Sequence, residues 1–321
     1  MGLRICVSSS VFRHHCHLNR LCASRCAFCA CAGSTIVATA VCLFSRDPFD
    51  PSDLECCCMS YPLIDPVALD LGFIQIHWYG LMYVFGFLGG YTLALYRIDR
   101  GLFPIHREQM SDFLSWIAVG VISGGRMGYM LFYQPARLIE DPLSLFYVWE
   151  GGMAFHGGLL GVIALTWIFA RKHQVAPLAL GDALAPLIPI GLGLGRLGNF
   201  IGGELWGRPT DLPWGMVFPK ADALARHPSQ LYQFALEGVL LFALLWWFSS
   251  TPRRRGQVTG LFLVGYGIAR FAVEFVREPD AHLGFIWANW MTMGQLLTFP
   301  MIAVGLWLLM LRKGSLDARL S

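Results

Sequence analysis

The stretch that decides the fold is ALAPLIPIGLGLGRLGNFIGGELWG, residues 183–207. Its first half is uncharged and largely apolar, which predicts a membrane-spanning helix, whereas Arg196, Asn199 and Glu204 follow in a glycine-rich segment, residues 195–207. An ionisable side chain at membrane depth is costly unless it is paired or faces a wet cavity. We therefore expect this segment to carry function.

The whole chain is too apolar for an ordinary soluble protein. Of its 321 residues 55% are hydrophobic and 14% are charged, and the mean hydropathy is +0.53. Seven stretches are long and apolar enough to span a bilayer as helices. They lie near residues 73–96, 113–133, 155–170, 178–195, 231–249, 258–276 and 293–311. Short alternating segments typical of a membrane β-barrel are missing, so the sequence predicts an all-α polytopic membrane protein with about seven transmembrane helices.

The loop charges predict the orientation, because Lys and Arg accumulate in cytoplasmic loops. Basic clusters follow the first, third, fifth and seventh stretches. Their members are Arg97, Arg100, Arg107, Arg171, Lys172, Arg253, Arg254, Arg255, Arg312 and Lys313. The amino end of the core is therefore expected outside and the carboxyl end in the cytoplasm, which places residues 195–207 at the outer face.

Residues 1–58 differ sharply in composition from residues 59–321. All ten cysteines precede Met59, and all eleven tryptophans follow His77. We favour the interpretation that Met59 is the true start and that residues 1–58 are a start-site artefact. A signal-anchor is a second interpretation, because arginines precede an apolar stretch at 27–44 and acidic residues follow it. Metal binding by cysteines and histidines is a third, weakly supported by the spacing.

Two alternatives explain Arg196. The glycines around it permit close helix packing, but packing needs no buried charge. A phosphate ligand would suit the planar guanidinium and the backbone N–H groups of a glycine-rich turn. The other explanation is an internal salt bridge to Glu204, and the two are compatible because a carboxylate can orient an arginine that also binds a headgroup.

Further intramembrane charges occur in the second and sixth stretches. Arg270 and Glu274 lie four residues apart and therefore share one helix face, as a structural ion pair or as part of a substrate path. Arg126 is either structural or cavity-lining. Three arginines at membrane depth together predict a phosphate-bearing ligand.

Two aromatic or basic motifs open predicted spans at the same outer face. His156 lies in GGMAFHGGLLG, and it is either a hydrogen-bonded structural residue or a base that accepts a thiol proton. Tyr79 lies in IHWYG, and it either anchors the interface or donates a hydrogen bond to a headgroup. His227, in ARHPSQLYQ, is expected in the loop that leads to the fifth span.

Several function classes lack support. The chain has no GxSxG, HExxH or Walker motif. Asp182 has no evident aspartyl partner, which weakens an intramembrane aspartic peptidase. We expect no nucleic-acid partner, because the small net charge of +3 follows from topology.

Five blocks in order, HWYGLMY, FHGG, GRLGNF with GELWGRP, RHPSQLYQ and GYG…R…VEF, resemble the bacterial prolipoprotein diacylglyceryl transferases over about residues 60–312. The resemblance implies a seven-helix inner-membrane enzyme, active toward the outer face. It would transfer the diacylglyceryl group of phosphatidylglycerol to the lipobox cysteine of a prolipoprotein signal peptide and release glycerol phosphate. The resemblance implies no metal and no cofactor.

The family's key positions fall on residues of matching type in this sequence. As catalytic residues the resemblance implies Tyr79, His156, Arg196, Glu204 and Arg270. For phosphatidylglycerol binding it implies Arg196, Asn199, Gly207 and Arg270. One departure is Gly202, where the family pattern has asparagine.

The expected chemistry is attack by the cysteine thiolate on the glyceryl carbon that bears the phosphate ester. His156 is the leading candidate base and Glu204 the second. Arg196 and Arg270 would stabilise the departing phosphate. The alternative from another class is a transporter or binding protein for an anionic lipid, whose arginines bind an anion without transforming it.

Overall fold

A computed structural model describes residues 59–72, 75–279 and 291–310. The interpretations of residues 1–58 as an artefact, a signal-anchor or a metal-binding segment lie outside the described residues. The described chain is mostly helical, as predicted. The helices are α1 Trp78–Asp99, α2 Arg107–Tyr133, α3 Pro135–Glu140, α4 Phe155–Lys172, α5 Pro177–Leu184, α6 Ile188–Gly202, α7 Ser229–Gln233, α8 Leu241–Phe248, α9 Gln257–Glu274 and α10 Met293–Met310.

Shorter elements connect these helices. Two 3-10 turns, Pro142–Phe146 and Val148–Glu150, follow α3, and a π-helical segment, Phe234–Leu240, joins α7 to α8. The strands are β1 Met59–Ser60, β2 Val67–Asp70, β3 Gln75–His77, β4 Met216–Val217 and β5 Ala225–Arg226.

Each of the seven predicted spans overlaps at least one helix of the described residues, but the fourth is divided between two helices. The axes of α5 and α6 are bent by 45° at the break. Pro186 and Pro189 lie there, and proline has no backbone N–H with which to continue the hydrogen bonding of an α-helix. Within the described residues, three helices are long and apolar enough to cross a membrane, or four if the bent pair forms one span.

Helices α2 and α4 approach each other along a row of glycines. A Cβ on Gly124 would lie 2.4 Å from the Gly157 carbonyl oxygen, and one on Gly120 would lie 2.9 Å from that of Gly161. No larger side chain fits at this distance, so the two backbones touch. Membrane helices commonly associate in this way, because dispersion contacts rather than the hydrophobic effect hold them together.

The glycines of α6 serve packing at some positions and not at others. A Cβ on Gly193 would lie 3.1 Å from the Cα of Gly238, and one on Gly198 would lie 3.1 Å from the ring of Tyr79. Gly195, in contrast, faces open space. The packing interpretation therefore holds for part of the glycine-rich segment.

A small sheet closes the loop between α6 and α7. β4 pairs in parallel with β1 and antiparallel with β5. Tyr61, Phe200, Met216 and Phe218 form a buried cluster beneath it. This cluster anchors the carboxyl end of α6, where the predicted functional segment lies.

Candidate active site

Arg196 is paired with a buried carboxylate from another helical segment. Its Nε lies 3.5 Å from Glu237 Oε2, and the Glu237 side chain is fully buried while that of Arg196 is 20% exposed. Glu237 belongs to the π-helical segment that follows α7. The alternative of an internal Arg196–Glu204 salt bridge is thereby corrected, because Glu204 is exposed on the loop after α6.

Arg270 and Glu274 form the ion pair that their spacing predicts. Arg270 Nη2 lies 2.9 Å from Glu274 Oε2. The other oxygen, Glu274 Oε1, accepts a hydrogen bond from Thr292 Oγ1 at 2.9 Å and lies 3.4 Å from Arg277 Nη1. The carboxylate is therefore held from α9 and from the segment before α10, so it fixes the position of Arg270.

Tyr266 joins the two arginines. It lies one turn before Arg270 on α9, and its hydroxyl interacts electrostatically with Arg196, Glu237 and Arg270. Arg196, from α6, and Arg270, from α9, thus both lie within electrostatic range of one phenolic oxygen, which is hydrogen-bonded to Arg196. Sequence reasoning missed both Tyr266 and Glu237.

Arg270 retains hydrogen-bonding capacity. Its Nη1 is buried and has no hydrogen-bond partner among the described residues. Glu237 Oε2 is also buried and has no hydrogen-bond partner among the described residues, although it lies 3.5 Å from Arg196 Nε. A buried guanidinium nitrogen without an acceptor is unfavourable, so the site is suited to a ligand that supplies anionic oxygens.

The backbone carbonyl groups at the carboxyl end of α6 accept hydrogen bonds from other groups of the protein. Gly203, in the left-handed region at φ +62°, donates to the Phe200 carbonyl at 3.0 Å, and Glu204 N donates to the Asn199 carbonyl at 3.0 Å. This is the Schellman arrangement, which favours glycine at the left-handed position. It fixes the backbone of Glu204 directly beyond the helix.

Two side chains satisfy the remaining carbonyls of this helix end. The Tyr61 hydroxyl donates to the Phe200 carbonyl and lies 2.9 Å from the Ile201 carbonyl. Lys220 Nζ donates to the Gly202 carbonyl at 2.7 Å. The 203–228 loop thus holds the end of α6 in place.

Gly202, the departure from the family pattern, lies beside the Glu204 carboxylate. A Cβ at this position would lie 3.6 Å from the Glu204 carboxyl carbon, which is an ordinary contact. The first carbon of a side chain would therefore fit here, in contact with Glu204. In this chain that contact is missing.

Tyr79 belongs to the same end of the bundle as Arg196 and Glu204. Its hydroxyl shares a 3.0 Å hydrogen bond with that of Tyr83, and it interacts electrostatically with Glu204 and with Arg196. Tyr79 also packs against α6, because a Cβ on Gly198 would lie 3.1 Å from its ring.

Gly207 is enclosed by backbone. A Cβ there would lie 2.6 Å from the Val276 carbonyl oxygen and 2.7 Å from that of His227. Its N–H donates to the His227 carbonyl at 2.9 Å, and its own carbonyl accepts from Arg226 Nη1 at 3.0 Å. Both backbone groups are used by the protein, so close packing alone requires glycine here. His227 lies in the loop before α7, as predicted.

Among the described residues, neither His156 nor Arg126 has a hydrogen bond or ion pair with Arg196 or Arg270. His156 is exposed at the second residue of α4, with its ring edge-on to Phe155 at 5.5 Å. Arg126 is 3% exposed and donates to the carbonyls of Ser144, Leu145 and Gly151. Arg126 is therefore structural, and the prediction of three arginines at one ligand reduces to two.

A family model described as prolipoprotein diacylglyceryl transferase matches residues 66–311. The chain belongs to the prolipoprotein diacylglyceryl transferase family. The match includes every predicted site residue from Tyr79 to Arg270, as well as Glu237 and Tyr266.

Similar curated proteins carry one name, phosphatidylglycerol–prolipoprotein diacylglyceryl transferase. The relative from Teredinibacter turnerae is 57% identical over 257 residues, covering 77% of this chain and 90% of the relative. That from Legionella pneumophila strain Paris is 53% identical over 250 residues, covering 78% and 98%. That from Nitratidesulfovibrio vulgaris is 52% identical over 259 residues, covering 81% and 98%.

Proposed function

We propose that this transferase moves the diacylglyceryl group of phosphatidylglycerol to the lipobox cysteine of a prolipoprotein and releases glycerol phosphate. The names of its relatives support both substrates. The observation that carries the proposal is the buried Nη1 of Arg270, which has no hydrogen-bond partner among the described residues, on the helix that also carries Tyr266, the hydrogen-bond partner of Arg196. This arrangement suits a lipid phosphate, which offers several anionic oxygens.

The reaction forms a carbon–sulfur bond and breaks a carbon–oxygen bond. The cysteine thiol loses its proton to a base, and the thiolate attacks the glyceryl carbon that carries the phosphate ester. The electron pair of the broken bond remains on the phosphate oxygen, which leaves as glycerol phosphate. Arg196 and Arg270 stabilise that charge, since preorganised donors need no reorganisation as the reaction proceeds.

The fixed carboxylates give each arginine a separate role. Glu274 is held by Thr292 and holds Nη2 of Arg270, which leaves Nη1 for the ligand. Glu237 and the Tyr266 hydroxyl both restrain Arg196, whose remaining donors are proposed to bind the ligand. Asn199 and Gly207 support the same site through the backbone at the end of α6 and in the following loop.

His156 is the proposed base, and Glu204 is the second candidate. Imidazole exchanges a proton readily near neutral pH, and His156 is exposed between glycines at the start of α4. Glu204 is also exposed and interacts with Tyr79. Tyr79 is proposed to donate a hydrogen bond to a headgroup oxygen.

We further propose seven transmembrane helices in the bacterial inner membrane, with the active site toward the outer face. Basic residues support this topology, because Arg97, Arg171 and Arg253–Arg255 cluster where α1, α4 and α8 end. Tyr79 lies at the amino end of α1, far from Arg97. Arg270 lies near the carboxyl end of α9, far from Arg253–Arg255.

The alternative is a transporter or binding protein for an anionic lipid. The break between α5 and α6 favours it, since discontinuous helices commonly form transport sites. Incubating the purified chain with headgroup-labelled phosphatidylglycerol and a lipobox peptide separates the two functions. A transferase releases labelled glycerol phosphate and makes the peptide heavier by a diacylglyceryl group, whereas binding or transport without either product would contradict the proposal.

A further inference from the structure

A polar cavity lies at the end of the bundle opposite the candidate active site. α1 connects the two, because Tyr79 lies in its first turn and Arg97 in its last. At 1.5 Å per residue, their separation of eighteen positions corresponds to roughly 27 Å along the helix. The two sites therefore cannot share one phosphate group.

The cavity has a volume of about 250 Å³. It lies among the end of α1, α5 and the segment between α8 and α9, and a smaller cavity of about 80 Å³ adjoins Arg97 on the side of Trp246. The polar residues that line the larger cavity are Arg97, Asp182, Ser249, Thr251, Arg253 and Arg255.

Arg97 is the central group of both cavities. It is 4% exposed, its Nη1 donates to Ser249 Oγ at 2.9 Å, and its guanidinium lies 5.5 Å from the Trp246 ring centroid. Its Nε is buried and has no hydrogen-bond partner among the described residues. A buried cation held by one hydroxyl and one ring lacks the anion that such a group normally requires.

The carboxylates near this cavity are already occupied. Asp182 Oδ2 accepts from Gly256 N at 2.6 Å, and Asp182 Oδ1 accepts from Thr259 N and Thr259 Oγ1, each at 2.7 Å. Asp99 lies 2.8 Å from Arg107. Neither carboxylate is paired with Arg97, so the cavity has an excess of positive charge.

The rim of the smaller cavity also carries a cationic and an aromatic side chain. Arg100 is exposed, with its guanidinium 4.7 Å from the Tyr96 ring centroid, and both residues line this cavity. Aromatic rings beside arginines are typical of the level of lipid headgroups.

We propose that Arg97 and Arg100 form a second phosphate-binding site, occupied by the phosphate of an anionic phospholipid headgroup or by free phosphate. The phosphate oxygens would accept hydrogen bonds from Arg97 Nε and from the exposed guanidinium of Arg100. Such charge-assisted contacts are stronger than neutral ones. The site is separate from the one that holds the phosphate in the proposed reaction.

The test uses the purified full chain and dioleoylphosphatidic acid, with dioleoylphosphatidylcholine as the neutral lipid, and measures retained lipid by native mass spectrometry. Arg97→Gln should weaken phosphatidic acid binding roughly ten- to hundredfold. Arg100→Gln, which alters an exposed residue and leaves the Arg97–Ser249 contact intact, should weaken it in the same direction. Performing both changes in an Arg196→Ala background removes the contribution of the candidate active site.

The matched control is Arg171→Gln, because Arg171 ends α4 with its guanidinium 5.0 Å from the Trp167 ring but does not line the cavity. It should bind like the parent protein. If inorganic phosphate raises the melting temperature of the parent but not that of Arg97→Gln, free phosphate is a sufficient ligand. If only phosphatidic acid raises it, the ligand is the lipid headgroup. Equal binding of both lipids by the parent, unchanged phosphatidic acid binding in Arg97→Gln and Arg100→Gln, or an equal loss in Arg171→Gln would overturn the proposal.

Discussion

Glu237 Oε2 lies 3.5 Å from Arg196 Nε, although 41 positions separate the two residues in the sequence. The carboxylate is fully buried in a π-helical segment, a feature often found at functional sites. Its partner Arg196 is hydrogen-bonded to Tyr266, whose hydroxyl also lies within electrostatic range of Arg270. This relationship, rather than an Arg196–Glu204 pair, organises the proposed phosphate site.

Replacing either arginine of the site should reduce turnover strongly. Arg196→Ala and Arg270→Ala each remove a donor to the leaving phosphate, and such a loss typically lowers kcat by roughly 100- to 1,000-fold. Arg171→Ala, at the end of α4, should retain activity. Diacylglyceryl transfer to a lipobox peptide in detergent measures the effect, and near-normal activity of Arg196→Ala would refute its phosphate role.

Tyr266→Phe tests the hydroxyl that connects the two arginines. Loss of one hydrogen-bonding group of this kind should lower kcat by roughly fivefold, since a typical net contribution is about 1 kcal/mol. Tyr91→Phe, on α1, is the matched control and should be unaffected. An unchanged kcat for Tyr266→Phe would mean that its hydroxyl does not position the arginines.

Gly294→Ala should disturb the Arg270–Glu274 pair without removing a charge. A Cβ at Gly294 would lie 2.9 Å from Glu274 Oε1 and 3.2 Å from Arg270 Nη2. Because Thr292 also holds that carboxylate, we expect the pair to shift and activity to fall roughly tenfold or more. Gly90→Ala, where no atom lies within 4 Å of the added carbon, is the control. Equal activity of both variants would contradict this role.

The base assignment is tested by His156→Gln. If His156 accepts the thiol proton, the variant should lose most activity at neutral pH and recover part of it at alkaline pH, where the thiol ionises unaided. Glu204→Gln, measured in parallel, tests the second candidate. Retention of most activity by His156→Gln across the pH range would exclude it as the base.

The pH dependence of stability reports on His227. Burial lowers the pKa of its imidazole, so the unfolded chain takes up the proton first as pH falls. The stabilisation is fully present above about pH 6.5 and is lost as pH decreases through the lower folded pKa. The melting temperature should therefore fall less on acidification in His227→Gln than in the parent. Identical pH profiles would show that His227 does not contribute.

The sequence predicted those features that depend on local spacing. The Arg270–Glu274 pair follows from a separation of four residues on one helix. Helix positions follow from runs of apolar residues. The break before α6 was not predicted, although Pro186 and Pro189 could have indicated it, because hydropathy alone treats residues 178–195 as continuous.

Contacts between distant helices were beyond such reasoning. Arg196 meets Glu237 because α6 packs on the π-helical segment through Gly193 and Gly238, and no periodicity encodes that register. A single carboxylate in the apolar run FALEGVL was nevertheless a usable signal. Tyr266 could likewise have been found from its spacing of four residues before Arg270.

The most direct test of the account is a cryo-electron microscopy structure of the full chain in nanodiscs that contain phosphatidylglycerol. The account predicts a lipid phosphate within hydrogen-bonding distance of Arg270 Nη1 and of the Arg196 guanidinium. A headgroup bound elsewhere, with both arginines contacting only protein groups, would contradict it.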